Sequence, residues 1–296
     1  MARLVLTVTY DGSGFAGSQV QPGARTVQGE LERALATLRF PEVRTDFAGR
    51  TDRGVHAAGQ VVACDDHRPD LNDETLRAAL NAILPDDVAV RHLERRAGDF
   101  HPRFEASWRE YRYRVWSGAR APLGRAFAWH RRCCLNGETM ATAASRFIGT
   151  NDFATVAGGG DGVPWSAVRT RARGTTRTVY ACDCRQVSPW WGPADDGGRL
   201  FEIRVVADGF LPRMVRNMVA IIVDAGRGAT SMDDITDLLS VRDRRAAGAT
   251  APAHGLTLWQ IGYSPWMASN GEATHPRLSG ASTTDPGGRD RAAATG

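Results

Sequence analysis

Lysine is absent from this 296-residue chain, so every one of its 37 basic residues is an arginine. A Schiff-base lysine, a phosphate-cradling Walker lysine and a lysine general base are thereby excluded. Long apolar runs are missing too, and none approaches the length of a membrane span. The opening M-A-R-L-V-L-T-V-T-Y goes straight into strand-like alternation without signal-peptide architecture, so a soluble, cytoplasmic protein with no membrane partner is expected. Cysteine is scarce, with 5 residues, and an odd count argues against a disulfide framework. Neither the vicinal pair Cys133 and Cys134 nor the C-x-C pair Cys182 and Cys184 has the C-x-x-C spacing of a zinc knuckle. Together with Cys64 they read as small, half-buried strand residues, and no metal site is expected.

What is present is a mild positive excess, +4 at neutral pH with a pI near 9.0, concentrated locally as in R-T-R-A-R-G-T-T-R from Arg169 to Arg177. A GC-rich coding sequence alone would account for the missing lysines, but not for where the arginines cluster. Arginine stacks on planar rings and pairs bidentately with phosphates, which favours a polyanionic partner such as nucleic acid.

Periodicity gives the organisation. Leu4 to Tyr10 alternates as a strand, and Val27, Leu31, Ala34, Leu35 and Leu38 share one helical face. Short strands follow around Val43 to Phe47 and from Gln60 to Cys64. Asn72 caps a helix that carries Leu76, Ala79, Leu80 and Ile83 inward until Pro85 stops it, and Val88 to Leu93 closes the set. The order βαββαβ is the ferredoxin-like arrangement. A second half repeats it with insertions: a strand Tyr111 to Trp116, a helix marked by Met140, Ala143, Ala144 and Phe147, and strands Thr178 to Val187 and Leu200 to Val206. A helix with Pro212 near its first turn comes next, then a Ser231 to Asp234 capping box and a last strand in L-T-L-W-Q-I-G-Y. The expected fold is α+β, with halves 1–105 and 106–267 whose antiparallel sheets meet, joined edge to edge, around a central basic cleft. Two segments stand outside it: a long loop from Gly158 to Thr176 and a disordered tail, 268–296.

G-S-G-F-A-G, Gly12 to Gly17, matches a dinucleotide fingerprint, yet Gln21, Pro22 and Gly23 intervene and no helix can start before about Thr26. It reads as a glycine-rich turn, and no nucleotide cofactor is expected. The loop F-A-G-R-T-D-R-G-V-H is more informative. Asp52 lies between Arg50 and Arg53, with Gly49 and Gly54 allowing tight or left-handed backbone. The guanidiniums favour the ionised carboxylate, which suits nucleophilic attack or stabilisation of a cation. A solvated arginine–aspartate turn would carry the same pattern.

The loop does not stand alone. A-G-R-T-D-R-G-V-H-A resembles the signature of the tRNA pseudouridine synthase A family, and the likeness continues from Leu4 to about Trp266. It includes V-T-Y-D-G-S-G-F-A-G, T-V-Q-G-E-L, L-N-A-I-L-P, F-H-P-R-F-E-A, R-E-Y-R-Y-R-V, N-D-F, M-V-R-N-M-V and A-T-A-P-A-H-G-L. The resemblance implies isomerisation of uridine to pseudouridine in the anticodon stem-loop of tRNA (tRNA positions 38 to 40), without a cofactor, by a homodimer whose RNA cleft draws on both subunits. It implies Asp52 as the catalytic carboxylate, Tyr111 stacked on the base, Arg216 paired with Asp52, Arg50 occupying the place of the displaced nucleotide, and Leu256 packed beneath the base. A nucleotide stacked in a stem must be flipped out to be reached. Whether Asp52 attacks the sugar carbon, attacks the base or removes a proton to give a glycal stays open.

Three positions depart from the family pattern: Ser18 where a tryptophan is usual, Asn151 where a histidine is common, and Arg53 where many members have a small residue. Two other functions compete with the enzyme. A catalytically silent RNA-binding protein would not need Asp52. A carboxylate-based hydrolase would need a second acid beside it, and the nearest, Asp46, sits on the preceding strand.

Overall fold

The computed structural model describes residues 2–41, 43–158, 174–192, 197–241 and 243–268. The expected tail beyond Ala268 and most of the Gly158 to Thr176 loop lie outside them. The first half runs β1 (Arg3–Tyr10), α1 (Val27–Thr37), β2 (Asp46–Phe47), β3 (His56–Asp65), α2 (Asp73–Ile83) and β4 (Val88–Arg96). Local chemistry accounts for the helix starts. The Thr26 hydroxyl accepts from Gly29 N–H at 3.2 Å, and the Asn72 side-chain Oδ1 accepts from Thr75 N–H at 2.8 Å, each satisfying a donor that the first turn leaves unpaired. Val27, Leu31, Ala34 and Leu35 are buried as their spacing predicts.

The second half runs β5 (Trp108–Ser117), β6 (Trp129–Arg131), α3 (Gly137–Ser145), β7 (Gly149–Asp152), β8 (Thr176–Val187), β9 (Arg199–Ala207), α4 (Met214–Gly226), α5 (Met232–Val241) and β10 (Leu256–Gly262). The capping box closes α5 reciprocally: Ser231 N–H donates to Asp234 Oδ2 at 2.8 Å and Asp234 N–H to Ser231 Oγ at 3.1 Å. The helix expected from Pro212 starts at Met214, because Arg213 takes a left-handed φ of 58° at the cap. The Pro212 carbonyl turns aside to accept from Gly158 N–H at 2.7 Å.

The two expected sheets join edge to edge into one. Its main path is β4-β1-β3-β10-β5-β9-β8-β7, with β2 added to β3 and β6 to β5. The last strand joins the halves: β10 lies antiparallel to β5 and parallel to β3, pairing Thr257 with His56 and Leu258 with Ala57. Pairing this way satisfies backbone groups that two separate sheets would have left at open edges.

Alternation along β5 sorts the two faces. Tyr111, Tyr113 and Val115 belong to the main core, whereas Glu110, Arg112 and Arg114 line the opposite face. There Glu202 takes Arg185 at 2.9 Å, Arg114 at 3.1 Å and Arg112 at 3.4 Å. Burial alone would raise the Glu202 pKa, but the guanidiniums of Arg185, Arg114 and Arg112 hold it below the ordinary value. Such a paired network is what allows charge on a largely buried sheet face.

Candidate active site

The Asp52 loop, Ala48 to Val55, joins β2 to β3. Val55 N–H donates to the Asp52 carbonyl at 3.1 Å, and Gly54, third in that turn, takes φ +78°. A hydrogen-bonded turn with positive φ at that position is one that glycine fits at no steric cost. Arg50, Asp52 and Arg53 are all exposed on the loop.

Beneath them the loop is tied down. Thr51 is buried, with its hydroxyl 2.8 Å from the Tyr10 hydroxyl, and its N–H donates to Ser18 Oγ at 2.9 Å. Ser18 N–H donates back to the Thr51 carbonyl at 3.1 Å. At the near end, Gln60 Nε2 donates to the Gly49 carbonyl at 2.7 Å and Gly49 N–H to Gln60 Oε1 at 3.3 Å. The glycine-rich turn supplies the seat: a Cβ on Gly17 would lie 3.0 Å from the Thr51 carbonyl oxygen, and one on Gly12 only 2.0 Å from that of Val55. His56, which begins β3 and is 2 % exposed, accepts from Gly12 N–H at 3.0 Å and faces the Ala126 and His254 carbonyls at 2.9 and 3.1 Å.

The second half brings the other groups. Arg216, in the first turn of α4, places Nη1 3.4 Å from Asp52 Oδ2 while its Nε donates to the Ala251 carbonyl at 2.7 Å. The contact is long for a charge-assisted hydrogen bond, and Asp52 is solvated, so it orients more than it stabilises. Buried Asn217 fixes this helix start, with Nδ2 on the Val156 carbonyl and Oδ1 under the Thr250 hydroxyl, both at 2.7 Å. Tyr111 is buried edge-on to Phe210 with ring centroids 5.1 Å apart, and a Cβ on Gly49 would stand 4.0 Å from its hydroxyl. Burial, reinforced by the neighbouring Tyr10 and Asp52, pushes the Tyr111 phenol far above its ordinary pKa and keeps it protonated. Burial likewise pushes Tyr10 up to about 12. Leu256 opens β10 opposite Tyr113, with Leu258 opposite Tyr111, so it shares the face of both tyrosines.

Asp52, Arg216 and Tyr111 therefore lie close together, Leu256 shares the strand face of Tyr111, and Arg50 is exposed on the loop that carries Asp52. The guanidinium that touches Asp52 is that of Arg216, the partner the resemblance implied. Sequence reasoning missed Arg109. This arginine heads the R-E-Y-R-Y-R-V motif and bonds the carbonyls of Ala106 and Asp208 at 3.0 Å, Arg103 at 2.7 Å and Ala48 at 3.5 Å, joining three loops. Burial lowers its pKa. Ser18 was noticed only as a departure, and its 0 % exposure is what shows it supporting the Asp52 loop. Among the described residues no three His, Cys, Asp or Glu side chains gather as a metal-binding set. A cavity of about 780 Å³ bounded by Asn136, Glu138, Arg199, Phe201 and Arg227 lies away from Asp52.

An exposed carboxylate on a braced loop, facing an arginine and a buried tyrosine from the other half, defines a candidate enzyme site. A family model described as tRNA pseudouridine synthase matches residues 6–105 and 143–264, and the chain belongs to that family of isomerases. Similar proteins carry the name tRNA pseudouridine synthase A. That of Bacillus subtilis (strain 168) is 42% identical over 264 residues, covering 88% of this chain and 99% of that protein. Those of Geobacillus kaustophilus and Pseudothermotoga lettingae are each 39% identical, covering 88% and 89% of this chain and 94% and 100% of their own lengths. Among the described residues no helix is long and apolar enough to cross a membrane.

Proposed function

We propose that this chain isomerises uridine to pseudouridine in the anticodon stem-loop of tRNA, with Asp52 as the catalytic carboxylate, working in the cytoplasm as a homodimer whose subunits both contribute to the RNA cleft. The observation that carries the reading is the convergence of Asp52, Arg216 and Tyr111 from the two halves. The reaction balances without a co-reactant. The N1–C1′ glycosidic bond breaks, the uracil turns, C5 bonds to C1′, and the proton lost from C5 is matched by one gained at N1. As the first bond breaks, positive charge grows at C1′, and an ionised Asp52 oriented by Arg216 stands ready to stabilise or capture it. Tyr111, kept protonated, offers a ring face to the uracil, with Leu256 packed on the same side. Arg50 on the rim takes the place of the flipped nucleotide in the stem. The remaining arginines meet phosphates, reading shape more than sequence.

The strand order supports two βαββαβ halves, 1–105 and 106–267. β4-β1-β3 with β2 beyond, and β10-β5-β9-β8, each run fourth, first, third, second, the order of a ferredoxin-like unit.

The test incubates the protein with unmodified tRNA transcripts and maps pseudouridine chemically. Asp52→Asn is expected to lower the rate by on the order of a thousandfold or more while tRNA binding survives. Full activity in that variant would reject Asp52 as the catalytic group. Binding without pseudouridine formation by the unaltered protein would favour a silent RNA-binding protein. A monomer by light scattering would count against the shared cleft.

A further inference from the structure

We infer that Phe104, backed by His101, is a stacking site for an unpaired nucleobase of the RNA, next to the Asp52 loop; the inference rests on the tRNA reading above. Phe104 is 77 % exposed, the most exposed of the large hydrophobic side chains among the described residues. Leaving a phenylalanine in water forgoes the gain of burying its ring, yet this one is not on a loose segment. His101 N–H donates to Glu105 Oε1 at 2.6 Å and Glu105 N–H to the His101 carbonyl at 3.2 Å. Arg103 N–H donates to His101 Nδ1 at 3.2 Å, and the Tyr263 hydroxyl to the Pro102 carbonyl at 2.9 Å. The turn is thus held from inside and from beneath while its aromatic tip stays in solvent.

The rings of Phe104 and His101 lie 4.2 Å apart and 37° from coplanar, so the histidine supports the phenylalanine from one side. Preorganised display of an apolar ring suits a planar partner, because little side-chain entropy remains to be lost on contact. Position points to the same partner. A single nitrogen, Arg109 Nη2, donates to the carbonyls of Arg103 and Ala48, so this turn and the start of the Asp52 loop lie side by side. Any RNA laid across Asp52, Arg50 and Arg53 therefore passes Phe104. Aromatic faces accept every base, which makes the site tolerant of sequence.

The experiment uses full-length protein carrying Asp52→Ala, so that tRNA is bound and not modified, and measures affinity for an unmodified tRNA transcript. Adding Phe104→Ala should weaken binding about tenfold, Phe104→Leu should weaken it nearly as much, and Phe104→Trp should restore it. In the active protein Phe104→Ala should raise KM with kcat little changed. Equal binding by the alanine and parent proteins would overturn the inference. So would full rescue by leucine, since apolar bulk would then suffice, or a parallel loss of dimer in sedimentation, which would make Phe104 a contact between copies. Failure of the parent Asp52→Ala protein to bind tRNA at all would reject the tRNA reading itself and this inference with it.

Discussion

The two halves hold their parts of the site by different means. On the first half the Asp52 loop is fastened along its length, by Ser18 and Tyr10 at Thr51, by Gln60 at Gly49, and by two glycines that let backbone lie against backbone. On the second half Arg216 rides on one helix turn secured by Asn217 and meets Asp52 through a single 3.4 Å contact. The backbone beneath Asp52 is thus fixed at several points, while the Arg216 guanidinium is fixed at one, through Nε on the Ala251 carbonyl, and reaches the exposed carboxylate with its other end.

The largest expected effect comes from unseating the rigid side. Gly12→Ala would drive a Cβ against the Val55 carbonyl oxygen, and overpacking of this kind costs about 3 kcal/mol. Thermal unfolding should report that loss, and pseudouridine formation should fall further than the stability change explains because Asp52 moves with the loop. Arg216→Gln tests the other side: kcat should drop about tenfold with KM and melting temperature nearly unchanged. A large loss of stability there would mean that the two halves are more alike than the contacts indicate. Thr51→Val removes the hydroxyl that meets Tyr10 and should cost about 1 kcal/mol in denaturant unfolding, leaving most activity because the two backbone bonds to Ser18 remain.

The smallest expected effect is in pH. Burial, with the neighbouring Arg216 guanidinium adding to it, lowers the His254 pKa below its ordinary value of 6.5 despite a bond to Ala128. As pH falls through that ordinary value the unfolded chain takes up a proton that the folded chain does not. Stability should therefore decline on acidification and reach its lower level below the folded pKa. His254→Gln should flatten that part of a melting-temperature profile between pH 5 and 8; an unchanged slope would assign it to other groups.

Much of the molecule could be read from its sequence because the signals were local. Asn72, Thr26 and the Ser231–Asp234 pair sit within three residues of the donors they cap, and Gly54 announces its turn by type. Asp52, Tyr111, Arg216 and Leu256 come from motifs matched as a set, not from their own surroundings, and the Arg216 contact with Asp52 is the one pairing among them that a distance supports. What escaped depends on distance along the chain. The three-residue strand β6 and the four-residue β7 are too short for periodicity to register. An edge-to-edge joint is expected, but the strands that make it, with Thr257 meeting His56, are contained in no window of sequence. Arg109 looks like any strand arginine until three loops close over it.

The position of β10 bears on when activity can arise. Among the described residues it is the last strand in order and among the most central in the sheet, and proteins emerge from the ribosome amino end first. The braced loop that carries Asp52 is complete once β3 is made, but the strand that seats Leu256 beside Tyr113 and zips one half to the other is made later. Until β10 pairs, the carboxylate and the residues proposed to work with it stand on pieces of chain that nothing yet holds in register.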